Sequence, residues 1–249
     1  MIEFNHIYKS FHVGRPNEVT ALQDVNLHIA ASEFLILVGS NGSGKSTLLN
    51  LIAGNVFPTS GEIKIAGQNV NKLPEYKRSQ WLARVFQNPL QGTAPELSIV
   101  ENFRLASLRT SPKTLKIGLT ADFKKEISDR VAMLGLGLEN KLQQAMGSLS
   151  GGQRQALSLL MAVMADIKIL LLDEPTAALD PRSAEIVLKT ANKLIKDYSI
   201  TAIMITHNLK DAHQYGSRII QLHNGEIVRD IEKDKKESLS YADMYEWFI

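Results

Sequence analysis

Short apolar runs punctuated by Gly or Pro recur along the chain, and their phase predicts strands of two kinds. Phe34–Val38, Ile169–Leu172 and Ile200–Ile205 are apolar at nearly every position, as in strands covered on both faces of a parallel sheet. Other runs alternate. Ile2–Phe4 and Val25–Ile29 predict an antiparallel sheet beside the parallel one, and the alternating Ile63/Ile65 pair within Gly61–Gly67 reads as a hairpin. Asn224-Gly225 between Ile219–Leu222 and Glu226–Val228 is a two-residue hairpin signal. From about Pro89 to Leu149 the composition shifts. Ser98–Leu108 and Ala121–Leu134 read as helices separated by a break at Thr110–Lys113, and Arg154–Met164 as a further long helix. The pattern predicts one domain, with residues 1–88 and 153–230 as core, 89–152 as an inserted helical lobe and 231–249 as a tail.

Composition narrows the picture without directing it. At 249 residues with 44% apolar and 22% charged positions, the chain can bury a sizeable core. A net charge of +2 argues neither for nor against a nucleic-acid or anionic-lipid partner, since such association needs a clustered patch. The absence of cysteine excludes disulfides, thiolate zinc sites and cysteine nucleophiles, and is compatible with a reducing cytoplasm. No secretory signal is visible after Met1-Ile2-Glu3-Phe4. The longest apolar-leaning stretch, Ala156 to Ala165, falls short of the roughly 18 residues that a spanning helix needs. Any membrane channel must then come from another chain.

The chemistry concentrates in three places. Gly39-Ser40-Asn41-Gly42-Ser43-Gly44-Lys45-Ser46-Thr47 fits G-x-x-x-x-G-K-[ST] between an apolar strand and the helical Leu48–Ile52. Glycines let successive N–H groups converge on phosphate oxygens, and the helix start adds a favourable dipole end. Lys45 can neutralise outer phosphates, and the Ser46 hydroxyl can take a Mg²⁺ position. Asp173-Glu174-Pro175 closes a buried strand, where ligands of open α/β sheets gather. Asp173 is the natural second anchor for Mg²⁺, and Glu174 the candidate general base for an attacking water. Leu149-Ser150-Gly151-Gly152-Gln153 stands before a helix and repeats the anion-site chemistry. One bound nucleotide has one γ-phosphate, so a second anion site implies a second copy of the chain related by a two-fold axis. Thr206-His207 ends a strand, and its imidazole can contact a γ-phosphate. Taken alone, that histidine and Gln87 also read as ordinary strand-end and surface residues.

Together these motifs resemble the ABC ATPase family over nearly the whole chain: Gly39–Thr47, Gln87, Leu149–Gln153, Asp173-Glu174, Ala178-Leu179-Asp180 and His207. The resemblance implies an α/β P-loop NTPase (RecA-like) core with an antiparallel β subdomain and an inserted α-helical subdomain. It implies ATP and Mg²⁺ as cofactors, with Gln87 and His207 joining Glu174 in catalysis and Gln87 also near the metal. ATP would lie head-to-tail between two copies, with Ser150 and Gly152 of one on the γ-phosphate held by Lys45 of the other. Phe11 matches the adenine-stacking position, with Tyr8 as the substitute. The chain departs from many members where an Ala-Arg-Ala stretch is replaced by Leu160-Met161-Ala162. Thr93–Ser98 and Arg154–Met161 are similar to cassettes serving a permease and a solute-binding protein, often for amino acids. A peripheral position on the cytoplasmic face of the membrane follows. Import is the favoured direction, with an exporter or lipoprotein-release system and a non-transport ABC ATPase as alternatives. A small-molecule P-loop kinase is the rival from another class, and Leu149–Gln153 argues against it. Arg104, Arg109, Lys113, Lys116, Lys124 and Lys125 read as a solvated basic face, and the aromatic tail Tyr241–Ile249 as a closing helix.

Overall fold

The computed structural model describes residues 1–110 and 118–248; most of the predicted Thr110–Lys113 break, together with Lys116 and Ile249, lies outside the described residues. The chain divides into two compact units, Met1–Ser79 with Ser199–Ile249 and Gln80–Tyr198.

In the first unit the elements are β1 (Ile2–Phe11), β2 (Val19–Ile29), β3 (Phe34–Val38), α1 (Lys45–Ala53), β4 (Ser60–Ile65), β5 (Gln68–Asn69) and α2 (Glu75–Arg78). The second unit supplies β6 (Leu82–Val85), α3 (Ile99–Ser107), α4 (Ala121–Ala132), α5 (Gly151–Ala162), β7 (Ile169–Asp173) and α6 (Pro181–Asp197). The chain returns to the first unit with β8 (Thr201–Ile205), α7 (Leu209–Gln214), β9 (Arg218–His223), β10 (Glu226–Ile231), α8 (Lys233–Ser238) and α9 (Tyr241–Tyr245).

Alternation in the first unit becomes an antiparallel sheet in which β1 pairs with β2 and β4, and β4 with β5. Ile2 pairs with Ile29 and Ile65, and Phe4 with Leu27 and Ile63, so apolar positions share one buried face. The uniformly apolar β3 runs parallel to β8 and β9, and all five of its residues are buried. Burying such Leu, Ile and Val side chains stabilises the unit by about 1.5–3 kcal/mol each. β9 turns into antiparallel β10 through Asn224 and Gly225, both with positive φ, as a tight hairpin requires.

Arg78 was not singled out by the sequence. It is fully buried and donates to the carbonyls of Leu51 and Ile52 at the end of α1, and to those of Leu73 and Val70. It thereby satisfies helix-end acceptors, and burial pushes its pKa down to about 10.

In the second unit β6 and β7 form a parallel pair with Val85 beside Leu172. Helix α6 begins at Asp180, whose side chain accepts from the Arg182 and Ser183 N–H groups, with Pro181 in the first turn. Its buried Val187, Leu188, Ala191, Leu194 and Ile195 follow helical spacing, and the helix packs on α5. Helix α5 starts at Gly151, earlier than the Arg154 start predicted, because Ser150 and Gln153 close a capping box around the glycines. The solvated basic face also needs revision at Arg109. Its guanidinium turns inward to the Ala162 carbonyl at 3.0 Å, and burial lowers its pKa.

No helix among the described residues is long and apolar enough to cross a membrane.

Candidate nucleotide site

The phosphate loop lies between β3 and α1 in the first unit. Gly39, Gly42 and Gly44 all have positive φ, and a Cβ at Gly39 would lie 2.3 Å from the Leu222 carbonyl oxygen. Only glycine fits there. Gly44 occupies the N-cap of α1 in the left-handed region and supplies no side-chain cap. The first N–H groups of α1 therefore face the loop without a side-chain acceptor from that cap. Lys45 is buried, and its ammonium donates to the Gly39 and Ser40 carbonyls at 2.8 and 2.9 Å. Ser43 is buried as well, and its hydroxyl has no hydrogen-bond partner among the described residues. A buried orphan hydroxyl, an uncapped helix start and an enclosed cation together suit a polyphosphate. Asn41, Gly42 and Ser46 are exposed and Thr47 is half-buried.

His207 follows β8 and is exposed. With Gly39, Ser40, Asn208, Tyr241 and Tyr245 it lines an open cavity of about 480 Å³. Thr206 accepts from the Asn208 N–H, and Asn208 caps α7, so the segment carrying His207 is fixed on both sides. Phe11 ends β1, half-buried, with the Lys9 ammonium 4.7 Å from its ring centre; Tyr8 is exposed.

The second unit holds the remaining candidates. Asp173 is the last residue of β7, and Glu174 follows with φ 47. That conformation is uncommon outside glycine and costs of order 1–3 kcal/mol, which the turn through Ala177 N–H to Glu174 O helps to hold. Ser150 caps α5, accepting from the Gln153 N–H at 3.2 Å while Gln153 accepts from the Ser150 N–H at 3.1 Å. Gly152 is closely packed, since a Cβ there would lie 2.4 Å from the Ser183 Cβ on α6. Arg154 ties down the approach to this motif by donating to the Met146, Gly147 and Leu149 carbonyls. Gln87 is exposed just beyond β6, and the buried Gln155 of α5 donates to the adjacent Phe86 carbonyl. Arg84 and Asp173 form an ion pair at 2.5 Å. Arg84 and Gln155 were missed as site residues because their partners are set by tertiary packing. The ion-pair partner of Arg84 is 89 residues distant.

Loop, strand order within each unit and helix starts define a P-loop nucleotide-binding α/β protein. Residues 22–177 match the family model described as ABC transporter. A tyrosine transport ATP-binding protein of Clostridioides difficile (strain R20291) is 41% identical over 250 residues, covering 100% of this chain and 98% of the relative. A phosphonates import ATP-binding protein of Treponema denticola is 34% identical over 234 residues, covering 92% of this chain and 89% of the relative. Among solved structures, a dimeric post-hydrolysis ATP-binding cassette bound to ADP and Pi aligns with a TM-score of 0.79 at 30% identity. The match covers 93% of this chain and 98% of that one. The chain therefore belongs to the ABC transporter family, as an ATP-binding and ATP-hydrolysing cassette.

Proposed function

We propose that this chain powers the import of a small amino acid-like solute, with tyrosine as the first candidate, through a separate membrane permease. The observation that carries this reading is the end-to-end similarity, at 41% identity, to a protein named for tyrosine transport. A solute-binding protein would deliver cargo to the permease, and the cassette would work on the cytoplasmic membrane face. Residues 89–152 would form the helical subdomain that meets the permease, between core segments 1–88 and 153–230, with 231–249 as the tail.

The assigned roles follow from chemistry. Gly39–Thr47 would bind the phosphates, with Lys45 on the outer ones, and Phe11 would stack on adenine. Ser46, Asp173 and Gln87 offer hydroxyl, carboxylate and amide oxygens, a hard donor set that suits Mg²⁺. No cluster of three or more His, Cys, Asp or Glu residues among the described residues can hold a metal. That fits a cation held by one carboxylate and by substrate phosphates. When bound, Mg²⁺ supplies charge neutralisation on the β- and γ-phosphates. Glu174 would take the proton of the attacking water, Gln87 would help to place that water, and His207 would contact the γ-phosphate.

Ser150, Gly151, Gly152 and Gln153 of a second copy would close over the same phosphate. Switching a pair from 1:99 to 99:1 closed requires about 5.5 kcal/mol of differential binding. Two charge-assisted contacts on each of two nucleotides supply roughly 6–12 kcal/mol before desolvation and ordering costs. Hydrolysis removes these contacts and the pair reopens.

Reconstitution with the permease tests the reading. The wild type should accumulate labelled tyrosine in an ATP-dependent way, while Glu174→Gln should bind ATP and neither hydrolyse it nor transport. Uptake of an unrelated solute alone would remove the cargo assignment, and undiminished turnover in Glu174→Gln would remove the base assignment.

A further inference from the structure

The strand pair β6–β7 is apolar except at one interior position. Leu82, Ala83 and Val85 on β6 and Ile169 to Leu172 on β7 are all buried, yet Arg84 stands among them. An arginine in such a place is costly unless its charge is met. Register sets Arg84 opposite Leu171, two residues before Asp173. The Arg84 Nη2 reaches Asp173 Oδ2 at 2.5 Å, with the two side chains only 12% and 18% exposed. The guanidinium also lies 4.9 Å from the ring centre of Phe86, the residue before Gln87. Its position is thus fixed from two sides.

The geometry points to Arg84 as a resident counter-ion of Asp173 that competes with the divalent cation for this carboxylate. The inference rests on the assignment of Asp173 as a metal anchor made above. A carboxylate bound to a guanidinium has one oxygen committed and its charge largely answered. It can serve a cation only by sharing or surrendering that contact, and the neighbouring positive charge opposes a second one. Asp173 would then hold metal weakly until nucleotide phosphates share the load. Metal occupancy would be tied to nucleotide occupancy, and release of Arg84 would be felt at Phe86 and Gln87.

The test is a Mg²⁺ titration of the full-length chain with a fluorescent, non-hydrolysable ATP analogue, read as binding and not as turnover. Arg84→Met should lower the half-saturating Mg²⁺ concentration by about tenfold, the worth of one charge-assisted contact. Arg84→Lys should shift it much less, and affinity measured in excess EDTA should stay at the wild-type value in both. A half-saturation that is unchanged or raised in Arg84→Met overturns the proposal, a rise meaning that Arg84 holds Asp173 ready for metal. If Arg84→Met fails to fold by circular dichroism, Arg84→Gln removes the charge while retaining hydrogen-bonding capacity, and the same outcomes apply. Failure of the underlying assignment has a different signature: Asp173→Asn would leave the wild-type Mg²⁺ dependence intact.

Discussion

The side-chain amide of Gln155 donates to the Phe86 carbonyl at 2.9 Å, joining helix α5 to the residue that precedes Gln87. The contact spans 69 positions of sequence, and Gln155 is 1% exposed. It ties the helix that begins at Ser150 to the segment that carries Gln87. Gln155→Leu keeps the bulk but leaves a carbonyl without this donor. We expect a stability loss of about 1–3 kcal/mol by urea denaturation. Turnover should fall while nucleotide affinity at the phosphate loop is retained. Wild-type kcat in a folded Gln155→Leu protein would show that the link does not position Gln87.

Gly152 sits where a Cβ would meet Ser183 at 2.4 Å. Gly152→Ala must therefore push the start of α5 away from α6, at a cost of about 1–3 kcal/mol. The expected result is a lower melting temperature together with lost cooperative ATP hydrolysis. Gly152→Ala combined with Ser183→Gly should recover part of the stability, and the double mutant's melting curve checks the cause.

Much of this arrangement was readable in the sequence, for local reasons. The glycines of the phosphate loop, the alternating strands and the Asn224-Gly225 turn follow from backbone sterics and side-chain period, which act over a few residues. The start of α5 was misplaced because two glycines suppress helix propensity, whereas the Ser150–Gln153 capping box overrides it. Arg84, Arg78 and Gln155 gave no signal. A basic or amide residue beside apolar ones announces burial only once the strand or helix it faces is known. Their partners are backbone carbonyls or one distant carboxylate, and neither leaves a spacing pattern.

Lys236 anchors α8 by donating to the Tyr215 and Gly216 carbonyls, and burial lowers its pKa to about 8. Below that value the folded chain carries a buried charge that the unfolded chain keeps in water. Between about pH 8 and the ordinary lysine range, the native state holds fewer protons than the unfolded one, so this group makes stability rise with pH. We expect the melting temperature of the wild type to gain roughly 2–4 °C on that of Lys236→Met between pH 7.5 and 9.5. Parallel pH profiles for the two proteins would contradict the placement of this ammonium.

In the proposed cycle the terminal phosphate of ATP holds two copies of this chain together through Ser150 and Gly152. Mass measurement of Glu174→Gln by light scattering, with ATP and Mg²⁺ and then with ADP, addresses this most directly. The expected result is a doubling of the 27.6 kDa monomer with ATP and reversal with ADP. A protein that binds ATP yet stays single, both alone and with its permease supplied, would contradict it.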